Sequence, residues 1–179
     1  FLRTDMGYSI ATVEGYIIKL KTMTRTALAQ GTIRYNPFAS FIPEKALRKH
    51  RHLTMDELQK LMDTPIEDKF LCRVRDLFIF STFTGISYID MCNLSTENVS
   101  KDSKGSLWIK LKRQKTKSEC VIRLLDIPHK IMEKYKEERM GDRLFNVPCR
   151  SALTNNMPKL AKLCGIERRL TYHMARHNF

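Results

Sequence analysis

Leu107-Trp108-Ile109-Lys110-Leu111-Lys112, followed a short turn later by Cys120-Val121-Ile122-Arg123-Leu124-Leu125, is the stretch that decides the fold class. The first segment alternates apolar and polar residues with the period of two that lays one side of a strand on a core. The second is rich in β-branched and aliphatic residues. Gln114 to Ser118 lie between them, so the pair reads as a β-hairpin with a basic tip. On this reading Trp108 packs the hairpin onto neighbouring helices, where its large ring buries most area. The rest of the chain reads mainly as helix. The expected fold is therefore mainly α with a small antiparallel β-sheet, an α+β arrangement.

Upstream of the hairpin, Phe70 to Phe83 is the most apolar stretch, carrying Leu71, Val74, Leu77, Phe78, Ile79 and Phe80, and reads as a central buried helix that stops at Gly85. Ser87 to Leu94 reads as a short further helix and Ser95 to Asn98 as a turn. Thr54-Met55-Asp56-Glu57 is a capping box: Thr54 is the N-cap, Glu57 stands three residues on, and a helix opens through Leu58, Leu61 and Met62. Downstream, Pro128 to Arg139 and Ser151 to Leu163 read as helices, with Gly141 and Gly165 marking breaks.

Nearer the start, Ile10, Val13, Ile17, Leu20 and Leu28 keep mostly helical spacing from Ser9 to Ala29, a helix of about five turns. Lys19, Lys21 and Arg25 fall along its polar side, and Pro37 forces the following segment into a turn. The run from Pro43 to His52 holds Lys45, Arg48, Lys49, His50, Arg51 and His52, the composition of an exposed linker that can follow a phosphate backbone. Three parts are thus expected: residues 1–42, a basic linker at 43–53, and a larger domain at 54–179.

Charge narrows the partner. Thirty-two Lys and Arg against nineteen Asp and Glu give a formal charge of +13 over 179 residues, and the pI is near 9.7. Such a bias points to a polyanion, with nucleic acid the first candidate. The basic residues are spread along the chain, which favours a folded gripping surface over a disordered arm. No apolar run of the length that spans a bilayer occurs, and no basic amphipathic helix with an aromatic face points to a membrane surface. Five cysteines, Cys72, Cys92, Cys120, Cys149 and Cys164, show no Cys-x-x-Cys spacing, and with the five histidines they form no zinc pattern. Four of the five cysteines sit in apolar surroundings, so they are expected to be reduced core thiols with no metal bound, in an intracellular protein.

Two clusters carry candidate chemistry. In Thr171-Tyr-His173-Met-Ala-Arg176-His177-Asn-Phe179, His173 and Arg176 stand three apart, neighbours on one helix face, and an imidazole beside a guanidinium suits a phosphate. Taken alone, the pair equally describes a solvated basic helix end. At the hairpin tip, Lys112-Arg113-Gln114-Lys115-Thr116-Lys117 puts four cations on a short turn. It reads either as a solvated charged loop or as a lysine placed to enter a DNA groove and give a proton to a leaving oxygen.

Read in order, Thr54-x-x-Glu57-Leu58, then Phe83-Thr84-Gly85-Ile86-Ser87-Tyr88-Ile89-Asp90, then Lys115-Thr116 in a hairpin, then His173-x-x-Arg176-His177-x-Phe179 resembles the tyrosine recombinases of the phage-integrase type. Upstream, Thr12-x-x-x-Tyr16-x-x-x-Leu20 and Gly31-x-Ile33-x-x-Asn36-Pro37-Phe38 resemble the last helix and exit of that family's core-binding domain. The Arg-Gln-Lys-Thr hairpin and Gly-Ile-Ser-Tyr-Ile-Asp look most like integrases of conjugative transposons and related mobile elements.

The resemblance implies a two-domain clamp around double-stranded DNA that cuts one strand at a time through a covalent 3′-phosphotyrosine, without metal or cofactor, in cytoplasmic, nucleoid-associated bacterial assemblies of up to four protomers. Lys115, His173 and Arg176 are the catalytic residues that it implies. Lys19, Arg48, Lys49, Arg51, Arg113 and Lys117 are the expected DNA contacts. Asp90 is expected either to hold polar groups near the site or to be a helix-surface charge, and Tyr172 to belong to the core.

Two departures from the family pattern follow. The position directly after Thr84-Gly85-Ile86 normally holds an arginine, and here it is Ser87. Losing a guanidinium from a transition-state clamp costs about 3–4 kcal/mol, and Arg75 or Arg113 is the expected compensating charge. The family's nucleophilic Tyr lies a few tens of residues beyond the His-x-x-Arg segment. Tyr8, Tyr16, Tyr35, Tyr88, Tyr135 and Tyr172 all precede that place, so this sequence is expected to be a piece, cut at both ends, that binds DNA without covalent cleavage. Two competing classes stay open: a non-catalytic DNA-binding accessory on a decayed recombinase, for which Ser87 argues, and an RNA-binding module, which lacks an aromatic-rich sheet motif.

Overall fold

The computed structural model describes residues 1–46 and 52–177, and it divides into two compact units, Phe1–Lys49 and His50–Phe179. In the first unit, Ser9 caps α1 (Ile10–Ala29) by accepting from the Thr12 amide at 3.2 Å. No residue of α1 is fully buried. Lys21 is not a free polar-face charge: its ammonium donates to the Phe41 carbonyl at 2.7 Å and lies 5.9 Å from that ring.

The second unit opens with α2 (Met55–Asp63), whose N-cap is the reciprocal capping box of Thr54 and Glu57. Asp68 caps α3 (Lys69–Thr84), the helix around which the unit is built. Leu71, Val74 and Phe78 face one core with Leu61, Leu153, Met157, Leu160 and Met174, while Leu77 and Phe80 face a second with Met91, Ile109, Met132 and Phe145. A helix covered on both sides is apolar around most of its circumference, which is why this stretch is the most apolar in the chain. Two of its buried hydroxyls are satisfied within the helix, Thr82 on Phe78 O at 3.0 Å and Thr84 on Phe80 O at 2.7 Å.

After α4 (Tyr88–Cys92) the sheet runs β1 (Val99–Lys101), β2 (Leu107–Lys112) and β3 (Glu119–Arg123), all antiparallel in the order β1-β2-β3. The strand β1 is an addition to the expected hairpin; its three residues are too few to show an alternation. Register pairs Ile109 with Val99 and Ile122, so Leu107, Ile109 and Leu111 turn to the core. Trp108 is therefore on the opposite face, and its indole N–H donates to Asp102 at 2.9 Å instead of packing the sheet on the helices. The period of two that reveals the strand also excludes Trp108 from the core side.

The helix expected from Pro128 starts earlier, as α5 (Asp126–Lys134), because a proline in the first turn has no amide to miss. It ends at Tyr135, and a 3₁₀ turn covers Lys136–Glu138. Last come α6 (Arg150–Leu163) and the single-turn α7 (Met174–His177). Among the cysteines only Cys164 is buried, while Cys72, Cys92 and Cys120 are half-buried and Cys149 is exposed. Apolar neighbours in sequence did not place those four inside, because adjacent residues point to different faces. No described helix is long and apolar enough to cross a membrane.

Candidate active site

Gly85 ends α3 in the left-handed region, at φ 62, where a Cβ would be strained, and this turn delivers Ser87 to the start of α4. Ser87 caps α4 by accepting from the Asp90 amide at 3.3 Å, and its hydroxyl donates to Asp90 Oδ2 at 2.7 Å. The other carboxylate oxygen of Asp90 accepts from the Gln114 amide at 2.8 Å. Asp90 is buried, so a charged acceptor with little solvent around it holds the hairpin to the start of α4. The single proton of Ser87 is already committed.

The hairpin tip is closed by two backbone bonds, Arg113 N to Ser118 O and Lys117 N to Arg113 O, both 2.9 Å. Lys117 adopts a left-handed φ of 57 to complete this turn. Lys115 is exposed at the apex, next to the residue that Asp90 holds.

The third component is the turn into α7. Met174 and Ala175 are buried, which leaves His173 and Arg176 exposed on the other side. Tyr172 fixes the turn to α3, its hydroxyl donating to Leu77 O at 3.2 Å and lying 3.1 Å from Ser81 Oγ. His173 itself is not helical, since α7 begins one residue later, but the spacing of three survives in the turn.

The Ser87 turn and the turn into α7 meet, with the start of α6, in a cleft of about 210 Å³ lined by Ser87, Tyr88, Arg150, Tyr172, His173 and Arg176, among others. Partial desolvation of the ring in the cleft, and then the charges of His177, Arg176, Arg150 and Lys115, hold His173 below the ordinary histidine range. The His177 ring lies edge-on to it at 4.6 Å. Among the described residues no carboxylate pairs with Arg150, His173 or Arg176. A concave site with several cations and no paired anion is suited to a phosphate.

Of the residues expected from sequence, Ser87, His173 and Arg176 line the cleft; Lys115 is not among the lining residues, and its charge is the least of the causes that lower the His173 pKa. Arg75 and Arg113 are not among the cleft-lining residues. Arg75 donates to Asp76 Oδ1 at 3.0 Å and to Thr64 O at 2.7 Å, and Arg113 reaches Cys120 Sγ at 3.7 Å. Lys19 and Lys117 are exposed, while Arg48, Lys49 and Arg51 lie outside the described residues. Arg150 was not singled out from sequence. Its one signal is a cation directly before an expected helix start, where it is no motif by itself.

Two tyrosines line the cleft, and both are engaged elsewhere. Tyr88 donates to Pro148 O at 3.2 Å, and burial with neighbouring Cys92 raises its pKa; burial pushes that of Tyr172 well above the usual phenol range. Neither is activated as a nucleophile.

The sequence model of the phage integrase family matches residues 51–179. The chain belongs to the phage integrase family. Within it, tyrosine recombinase XerC of Thermodesulfovibrio yellowstonii is 28% identical over 194 residues, covering 97% of this chain and 62% of XerC. The chain therefore spans less than two thirds of that relative. Among solved structures, the Tn1549 transposon integrase in complex with circular intermediate DNA superposes with a TM-score of 0.71 at 19% identity, over 99% of this chain and 67% of that one. A lambda integrase tetramer bound to a Holliday junction gives 0.69 at 19% identity, over 94% and 56%. At these identities the structures establish the shared recombinase fold, mostly helical with one small antiparallel sheet.

Proposed function

We propose that this chain is the DNA-gripping and phosphate-contacting part of a site-specific recombinase that integrates or excises a mobile element. The supporting observation is the convergence of Ser87, His173 and Arg176 on one cleft, with the Lys115 hairpin tied beside it through Asp90. Attack on a phosphodiester spreads negative charge over the non-bridging oxygens. Arg176 binds these with a planar fork of donors and His173 adds a hydrogen bond. A tyrosine oxygen forms the new bond to phosphorus as the bond to the 5′ oxygen breaks, and Lys115 gives that oxygen its proton. The covalent phosphotyrosine keeps the bond energy, so rejoining needs no nucleotide and no cofactor. Double-stranded recombination sites and further protomers, up to a tetramer at synapsis, are the proposed partners. Residues 1–42, the linker 43–53 and residues 54–179 are the proposed functional divisions, with Lys19, Arg48, Lys49, Arg51, Arg113 and Lys117 on the backbone.

The 179-residue chain is expected to bind duplex DNA with strong salt dependence and to form no adduct through its six tyrosines, because the two at the cleft are held as neutral, hydrogen-bonded phenols. The intact protein, incubated with a nicked recombination-site duplex, is expected to give a covalent protein–DNA adduct that protease treatment shortens to a tyrosyl peptide. Absence of the adduct from the intact protein, with DNA binding retained, would instead support the accessory reading. Ser87 favours that alternative, since its only proton already serves Asp90.

A further inference from the structure

We propose that Arg150 is a catalytic residue of this cleft, supplying a second guanidinium to the bound phosphodiester at the side where Ser87 brings no charge. The inference rests on the recombinase reading above. Three observations carry it.

First, α4 brings no phosphate donor through Ser87, whose hydroxyl donates to Asp90 Oδ2 at 2.7 Å within a buried pair. A developing phosphorane therefore has only Arg176 as a guanidinium unless another element provides one. Second, Arg150 provides it. It is the first residue of α6, it lines the same cleft as Ser87, His173 and Arg176, and its side chain is exposed. Third, Arg150 has no anionic partner among the described residues, whereas Arg75 is bound to Asp76 and Thr64. An arginine left unpaired beside two other cations costs electrostatic energy that an incoming dianionic or monoanionic phosphate relieves. The contribution of its charge to the lowered pKa of His173 is consistent with the same proximity. The role is charge stabilisation alone: no proton leaves Arg150, and its forked donors contact the non-bridging oxygens as they gain charge.

The test uses the intact recombinase and its Arg150→Gln, Arg150→Lys and Arg113→Ala variants, each first checked for an unchanged thermal melting curve and then compared on saturating duplex. Arg150→Gln is expected to slow strand cleavage about 100-fold, the scale of losing one preorganised oxyanion donor. Arg150→Lys is expected to recover part of that rate. With a methylphosphonate at the scissile position, which removes one negative charge, the Gln variant is expected to fall much less behind the unsubstituted enzyme. Cleavage by Arg150→Gln at the unsubstituted rate, or a loss the methylphosphonate leaves unchanged, would overturn the inference; a loss confined to Arg113→Ala would move the charge to the hairpin. No cleavage by the unsubstituted protein would instead remove the recombinase reading itself. A second readout is independent of cleavage. Inorganic phosphate titrated into the 179-residue chain is expected to shift the His173 ring resonances, with at least tenfold weaker binding in Arg150→Gln. Equal binding by both would count against Arg150.

Discussion

Two charged regions touch the central helix α3, and they are wired in opposite ways. At Asp76 the charges are paired: the buried carboxylate accepts from Arg75 Nε at 3.0 Å, Lys134 Nζ at 2.6 Å and Tyr135 OH at 2.9 Å. Burial alone would lower the pKa of Lys134, but bonds to Asp76 and Cys72 outweigh it and raise that value. Burial and the Asp76 charge together push the Tyr135 phenol far above its ordinary range. At the cleft the sign is nearly uniform. Asp90 is the buried carboxylate nearby, and both its oxygens are taken by Ser87 and Gln114. The difference separates two uses of charge: matched and buried, it holds the fold; unmatched and open, it waits for an anion.

The largest effect should come from breaking the matched region. Asp76→Ala leaves two cations and a phenol without their acceptor, and is expected to lower stability by about 3–5 kcal/mol, read from the urea midpoint. A loss below about 1 kcal/mol would mean that water replaces the carboxylate, and the contrast would fail. Arg176→Ala should do the reverse. Melting should stay within about 0.5 kcal/mol, as for a surface change, while cleavage by the intact protein falls about 100- to 1000-fold. Equal losses of stability in both variants would erase the distinction.

Asp90 sits between the two cases, a buried carboxylate serving the open site. Asp90→Ala is expected to cost about 1–3 kcal/mol and to speed hydrogen exchange at the Gln114 amide, which loses its acceptor. Unchanged exchange there would show that the hairpin is held by its own turn. The smallest effect is in pH. Partial desolvation in the cleft, and then the charges of His177, Arg176, Arg150 and Lys115, keep the folded pKa of His173 below the unfolded value of about 6.5. As the pH falls, the unfolded chain takes up this proton first. The contribution of His173 to stability is therefore full above about pH 6.5 and shrinks as pH drops from there through the lowered folded value. An NMR titration should place the His173 midpoint below that of an unstructured histidine, and inorganic phosphate should raise it; a midpoint at or above the ordinary value would show that the cleft cations do not act on the ring.

Local signals made most of the fold legible. The Thr54 and Glu57 capping box, the stop at Gly85 and the alternation of β2 each depend on a few neighbouring residues, and each forms as its chemistry requires. Ser87, His173 and Arg176 were readable because their spacing resembles a known pattern. Arg150 was not, because what gives it meaning is the approach of α6 to the turn before α7, a tertiary fact that no local period records. Trp108 failed for a related reason: bulk argued for the core, while strand parity, the stronger constraint, assigned it to the other face.

Trp108 is the sole tryptophan of the chain, and its indole is tied to Asp102 across the bend between β1 and β2. The sheet that carries the Lys115 tip therefore contains its own fluorophore. Emission excited at the red edge comes from this one ring, and the bond to Asp102 lowers that carboxyl's pKa, so only acid strong enough to protonate a carboxyl held below the usual range should break the bond and alter the signal without a label. The proposed seating of DNA on the hairpin becomes something an optical titration can follow in real time.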